Sequence, residues 1–239
     1  MLHILQSENV TNRVLAEMEH SFEPGSIHFN LSELSSGPLL NSVYRETLRL
    51  RQLGPVARVP RKPNYLLSGK WSILPRTPIL AVSWLAGRDE SFWNTGATLP
   101  NGQQEHPVEA FWAERFLIYP DDVTSGPIRK PNTYITEGMI SPRSKERSAE
   151  DDKTAKLSTT GLQGHFFPFG GGAYRCPGEN FARQLTMSTV ALMLRMLDIE
   201  LVDSEAAKGV QSYYAQYPLG DHRFDRKVPI RVRRKAFAV

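Results

Sequence analysis

The sequence predicts a mainly α-helical fold with small antiparallel β-sheets, on two observations. Residues 9–20, 38–53 and 177–202 carry apolar side chains at helical spacing, whereas 56–83 and the last 30 residues break into short β-leaning runs. In NVTNRVLAEMEH, 9–20, Val10, Val14, Leu15 and Met18 share a helical face and Asn9 is placed to cap it. EPGS at 23–26 ends that run, and a loop extends to about Ser36. PLLNSVYRETLRLRQL, 38–53, has Pro38 in its first turn, apolar Leu39, Leu40, Val43 and Leu48, and Gly54-Pro55 as its stop. VARVP, NYLLSG, KWSILP and PILAVSWLA, separated by Pro, Gly and Asn, predict a small sheet of hairpins, with Ile79–Leu85 also compatible with a short helix. Residues 94–107 read as a polar loop and 121–164 as the least structured part. Within the latter, 141–161 combine dense mixed charge with almost no apolar residue, which predicts disorder; a solvated helix of paired charges is the alternative. A long helix is expected from Pro177 to Val202, buried on one face. No internal repeat is present.

Composition narrows the function classes. The 239 residues are 40% hydrophobic and 23% charged, enough for one substantial core or two modest ones. A single cysteine excludes an internal disulfide framework and favours a reducing, intracellular compartment. MLHILQSENV lacks the basic and apolar regions of a signal peptide, and STVALMLRMLDIELV is interrupted by Arg195 and Asp198, so no membrane span is expected. The net charge of +4 is concentrated in RVPRKP, 58–63, and RVRRKAFAV. Neither a basic face with aromatic stacking residues nor a reader motif is found, and Arg231, Arg233 and Lys235 alternate as the solvent face of a strand. Nucleic-acid binding is therefore not expected.

The lone thiol, Cys176, lies in FFPFGGGAYRCPGENFA, 166–182. Three glycines, 170–172, let a backbone bend and approach a flat ligand without side-chain collision. Pro177 and Gly178 open the following helix, placing Cys176 where free N–H groups and the helix dipole favour a thiolate. Phe169 is expected to pack beside the sulfur and keep it dry. An isolated Cys-Pro-Gly reads more simply as a turn with a buried, inert cysteine, but the longer Phe-x-x-Gly-x-x-x-Cys-x-Gly pattern before a helix points to a thiolate iron ligand with a planar partner. Glu46 and Arg49, three apart in YRETLRL, and Arg115 in FWAERFL, 111–117, complete the set. They read either as ordinary surface charges or as a buried network that specifies geometry.

Together these residues resemble the C-terminal part of a cytochrome P450. ETLR is similar to the family's ExxR on its K helix, AERF to its PERF-type segment with Ala113 where proline is usual, and FGGGAYRCPG to its haem-binding loop. PVARVPRKP resembles the strand after the K helix, and WLAGRDESFW the approach to the PERF region; the spelling is similar to the bile-acid-hydroxylase and prostacyclin-synthase branch. The resemblance implies a haem b cofactor with Cys176 as axial thiolate and metal ligand. Phe169, Gly172, Tyr174, Arg175, Gly178 and Arg58 surround it, Arg58 toward a propionate, while Glu46, Arg49 and Arg115 form a structural network. No catalytic residue is implied in this chain. Tyr174 stands where the family usually has Arg or His.

The resemblance runs from about residue 9 to the end and implies a partial P450 domain over 1–239, with 94–107 and 121–164 as loop insertions. Only 45 residues precede Glu46, so the expectation is a truncated chain without the N-terminal half, the membrane anchor of endoplasmic-reticulum relatives or the oxygen-activating I helix. Two functions compete: a haem-thiolate monooxygenase with an NADPH-dependent reductase and a small apolar substrate, or a non-catalytic haem-binding fragment or folded remnant with an interaction role. In the first, Arg175 and Arg183 contribute to a basic docking surface. No GxGxxG, phosphate loop or Gly-x-Ser-x-Gly elbow is present, the six histidines lack metal-ligand spacing, and a His165–Cys176 hydrolase lacks an orienting partner.

Overall fold

The computed structural model describes residues 1–52, 54–61, 65–130, 146–210 and 224–235. The N-terminal helices are α1 (Leu2–Leu5), α2 (Glu8–Glu19), α3 (Leu31–Ser36) and α4 (Pro38–Arg51). Next come β1 (Pro55–Arg58), β2 (Tyr65–Leu67), β3 (Trp71–Ile73), β4 (Ile79–Val82) and α5 (Ser83–Ala86). The remainder contributes β5 (Leu117–Ile118), α6 (Ala149–Thr154), β6 (Lys156–Leu157), α7 (Glu179–Met196), β7 (Leu197–Leu201), α8 (Ser204–Lys208) and β8 (Ile230–Arg234). The strands pair as separate antiparallel ribbons, β1–β4, β2–β3, β5–β6 and β7–β8. The mixture is compatible with a fragment of a mainly helical fold.

Burial of amphipathic stripes joins the helices. Val10, Val14 and Met18 of α2, Leu39, Leu40 and Val43 of α4, and Met187, Ala191 and Leu194 of α7 meet in the main core. A second cluster of Trp93, Val108, Phe116 and Leu162 lies under the loops. Helix α7 is buried on that one face, while Phe181 and Leu185 remain 70% and 56% exposed on another. Helix α2 is capped by Ser7, whose Oγ accepts from the Val10 N–H, and not by Asn9. The N-terminus of α4 is capped from α2: the Glu17 carboxylate accepts from the N–H groups of Leu39 and Leu40 at 2.7 and 2.8 Å. A Cβ on Gly37 would lie 2.5 Å from Glu17 Oε2, so this cap requires glycine there.

Three expectations are corrected. The long helix stops at Met196, and 197–201 turn into β7, where Ile199 is buried between exposed Asp198 and Glu200. That alternation is a strand period that a continuous apolar reading of 188–202 overlooked. Among the described residues β8 pairs with β7, from Leu197↔Arg234 to Leu201↔Ile230, and not with a neighbouring strand of the last 30 residues, of which 211–223 and 236–239 lie outside the described ones.

The third concerns 141–161, of which 141–145 lie outside the described residues; 146–161 are ordered. Ser148 and Asp151 form a reciprocal capping box on α6. Arg13 of α2 binds the buried Asp152 at 2.8 and 2.7 Å, and the Tyr119 hydroxyl donates to the same carboxylate at 2.8 Å. Arg147 binds Asp121 and Asp122 and lies over the Tyr119 ring. Composition marked these charges as solvated, but their partners are distant in sequence. The 94–107 loop is likewise anchored, with Asn94 Nδ2 donating to the carbonyls of Thr124 and Gly126 at 2.8 Å each.

Burial raises the Glu17 carboxyl from its ordinary value of 4.5 to about 7, against the lowering effect of its two backbone donors. A carboxyl raised in the fold weakens stability as pH climbs from the unfolded value through the folded one. Urea denaturation from pH 4.5 to 8 should therefore show a decline in wild-type stability that Glu17→Gln largely abolishes; parallel pH profiles would refute the assignment.

Candidate functional site

The structure brings Glu46, Arg49 and Arg115 together, all fully or almost fully buried. Arg49 and Glu46 meet because α4 places residues three apart on one face: Nε donates to Oε2 at 2.7 Å and Nη2 to Oε1 at 2.8 Å. Arg115 Nε donates to Oε1 at 2.9 Å, and the Trp112 N–H adds a fourth bond at 3.1 Å. The guanidiniums spend their remaining donors on backbone carbonyls, Arg49 on Gly87 and Arg115 on Asn94, Pro107 and Ala110. A Cβ on Gly87 would stand 2.8 Å from the Arg49 carbonyl oxygen. Burial alone would raise the Glu46 carboxyl, but Arg115 and Arg49 outweigh it and hold it at about 2. The surface-charge reading of these residues is thus replaced by the buried-network reading.

The cysteine loop is a tight, open turn. Gly170 and Gly172 have φ of 75° and 64°, in the left-handed region that glycine tolerates best. The Cys176 N–H donates to the Phe169 carbonyl at 2.9 Å, closing the loop ahead of α7. Beside Gly171 and Gly172 an added Cβ would meet nothing within 4 Å, whereas one on Gly170 would touch Val56 Cγ2 of β1 at 3.7 Å. A Cβ on Gly178 would lie 3.7 Å from the Cys176 sulfur. The loop therefore leans on β1 with one glycine and turns its other two toward open space.

Cys176 is free and exposed, which overturns the reading of a buried, inert cysteine. Half-buried Phe169 holds the loop through its carbonyl. Tyr174 is 69% exposed, and the Arg58 guanidinium lies over its ring, 5.2 Å from the centroid, while Nη2 donates to the Gly171 carbonyl at 3.1 Å. Arg175 is paired with Glu179 at 2.6 and 2.8 Å, and Arg183 donates to Asn41 and Ser35.

Sequence reading missed Arg45, the neighbour of Glu46, which lines two adjacent cavities of about 430 and 380 Å³ together with Phe169, Arg175 and Glu179. Helix α4 thus carries the buried network on one residue and borders the cysteine loop with the next. The i, i+4 spacing of Arg45 and Arg49 was the available signal. Arg13, Asp152 and Tyr119 were also missed, having no local pattern at all.

Among the described residues no group of three or more His, Cys, Asp or Glu is arranged to hold a metal ion. A haem iron brings its macrocycle ligands with it and needs no such group. The single exposed thiol, the glycine backbone facing open space and the cation of Arg58 fit haem.

No protein-family model matches the chain. It is 32% identical over 232 residues to a cytochrome P450 monooxygenase of Humicola fuscoatra, covering 95% of this chain and 36% of that protein. It is 33% identical over 222 residues to a cytochrome P450 monooxygenase of Hormonema carpetanum, covering 92% and 35%. A bifunctional cytochrome P450/NADPH–P450 reductase of Gibberella moniliformis is 25% identical over 234 residues, 98% of this chain and 16% of that one. The chain belongs to the cytochrome P450 family and spans about a third of the length of the first two relatives. Membership implies a thiolate-ligated haem iron as cofactor. No helix among the described residues is long and apolar enough to cross a membrane.

Because the Glu46 carboxyl is depressed from 4.5 to about 2, its stabilisation is present above the unfolded value and is lost as pH falls through the folded one. Glu46→Gln should lower stability by about 3 to 5 kcal/mol at pH 7, since it leaves buried guanidiniums without an anion. In denaturant titrations the gap to wild type should narrow below about pH 5.5 and close near pH 1, roughly one unit beyond each of the two values. A constant gap would show that packing, not charge, carries the effect.

Proposed function

We propose that the chain supplies the thiolate side of a cytochrome P450-type oxidoreductase, with Cys176 as the residue that would hold the iron of haem b. One observation carries this reading: an exposed lone thiol closes a glycine loop whose backbone faces open space, at the start of an 18-residue helix. Haem bound there supplies redox and oxygen chemistry, which a donating thiolate favours. Gly171 and Gly172 admit a flat macrocycle, Phe169 and Gly178 fix the turn on either side of the sulfur, and Arg58 meets a carboxylate. Glu46, Arg49 and Arg115 hold α4 and the 107–117 segment in place behind the loop and touch no reacting atom. The 94–107 and 121–164 segments are insertions in this partial, intracellular domain.

Monooxygenation of a small apolar substrate, with electrons from an NADPH-dependent reductase, is the activity this reading assigns to the complete site. The name of the Gibberella moniliformis relative, which joins a P450 to such a reductase, supports the electron source. Arg175 contributes little free charge to reductase docking because Glu179 pairs with it, whereas Arg183, bound to neutral oxygens of Asn41 and Ser35, keeps its charge for such a surface. A second reading, a non-catalytic haem-binding fragment or remnant with an interaction role, is favoured by the exposure of Trp71, Leu74, Phe181 and Leu185.

The test is the carbon-monoxide difference spectrum of the reduced, haem-loaded chain beside Cys176→Ser. A red-shifted Soret band lost in the serine variant is expected; its absence, or its persistence without the thiol, would refute thiolate ligation. NADPH-driven turnover with a reductase then separates the two readings: product formation selects the oxidoreductase, and a band without product selects the fragment.

A further inference from the structure

Arg58 is a cation whose described contacts are all neutral. Its Nη1 donates to the Ala57 carbonyl at 2.8 Å, its Nη2 to the Gly171 carbonyl at 3.1 Å, and its guanidinium lies over the Tyr174 ring. The other arginine of the cysteine loop, Arg175, has its charge met by Glu179. Arg58 stands beside the two glycines that face open space, on the strand against which Gly170 packs. A guanidinium over an aromatic ring is held by the ring face and keeps its in-plane N–H edge for a planar anion. Tyr174 is largely exposed, so it has no core to serve; its described ring contact is with Arg58.

We propose that Tyr174 is a positioning residue that holds Arg58 at the mouth of the cysteine loop to receive a carboxylate of the bound macrocycle. The inference rests on the haem reading above and adds to it a role for Tyr174. One arginine reaching in from β1, steadied by the tyrosine, supplies the charge that the loop itself lacks. The same contact ties the loop to β1, so the anion site and the thiol are set by one piece of backbone.

The experiment is a haem titration followed by Soret absorbance, run in parallel with haem dimethyl ester, whose carboxylates are blocked. Tyr174→Ala should weaken haem binding about two- to fivefold, the range expected of an exposed cation–π contact. Tyr174→Phe, which keeps the ring, should match wild type, and Arg58→Ala should weaken binding roughly tenfold. All variants should bind the dimethyl ester alike, and Tyr174→Ala should add nothing in an Arg58→Ala background. Equal weakening toward haem and its ester, or an effect of Tyr174→Ala that survives without Arg58, would overturn the proposal as a merely structural effect. Wild-type-like haem titration of Tyr174→Ala overturns it while leaving Cys176 ligation standing. Absence of any Cys176-dependent band in wild type overturns both.

Discussion

Glu46 is a carboxylate with no access to water, and the fold surrounds it with two guanidiniums and a backbone N–H. An isolated charge in that position would cost several kcal/mol (about that much per ion even after relaxation). The pair of arginines makes it tenable, and each then needs further acceptors, which come from the carbonyls of Gly87, Asn94, Pro107 and Ala110. One buried anion therefore fixes α4 relative to the loops at 87, 94 and 107–115. Trp93 takes part as well, lying 5.4 Å from the Arg49 guanidinium at the centre of the second apolar cluster.

A second charged network repeats the logic on another side of α2. Arg13 joins Asp152, Glu114 and Tyr119, drawing α6 and the 114–119 segment onto the helix. Glu114 and Arg115 are adjacent in sequence yet belong to different networks, so one short segment is tied to both. Glu17 on the same α2 caps α4, which carries Glu46. The helices of the main core are thus registered by charge as well as by apolar contact. Hydrophobic burial is non-directional, and hydrogen-bonded charge gives these packed helices a defined rotation.

Against this rigid background the cysteine loop is held more lightly, by one backbone bond to Phe169, by packing of Gly170 on β1 and by Arg58. Its sulfur and the apolar Phe181 and Leu185 of the following helix are exposed in this chain. The same absence of side chains that opens the loop to a flat ligand leaves it few contacts of its own. Preorganisation must then come from behind, through α4, whose Arg45 borders the cavities beside Phe169.

The sequence by itself determined the helices α2, α4 and α7, the β-rich texture of 55–82, the glycine turn before Cys176 and the family. Each rests on local information: apolar period, a proline or glycine at a boundary, or a motif of contiguous residues. It also paired Glu46 with Arg49, because helix geometry alone brings residues three apart together. Tertiary structure decided the rest. Whether Glu46 and Arg49 were surface or core, that Arg115 was their partner, that the charged run around Asp152 folds onto Arg13, that β8 pairs with β7, and that Arg58 finds Tyr174 all depend on contacts between residues far apart in the chain. Composition and periodicity carry no record of such distances. A charge destined for water and a charge destined for a buried partner are spelled with the same residue, and only packing distinguishes them.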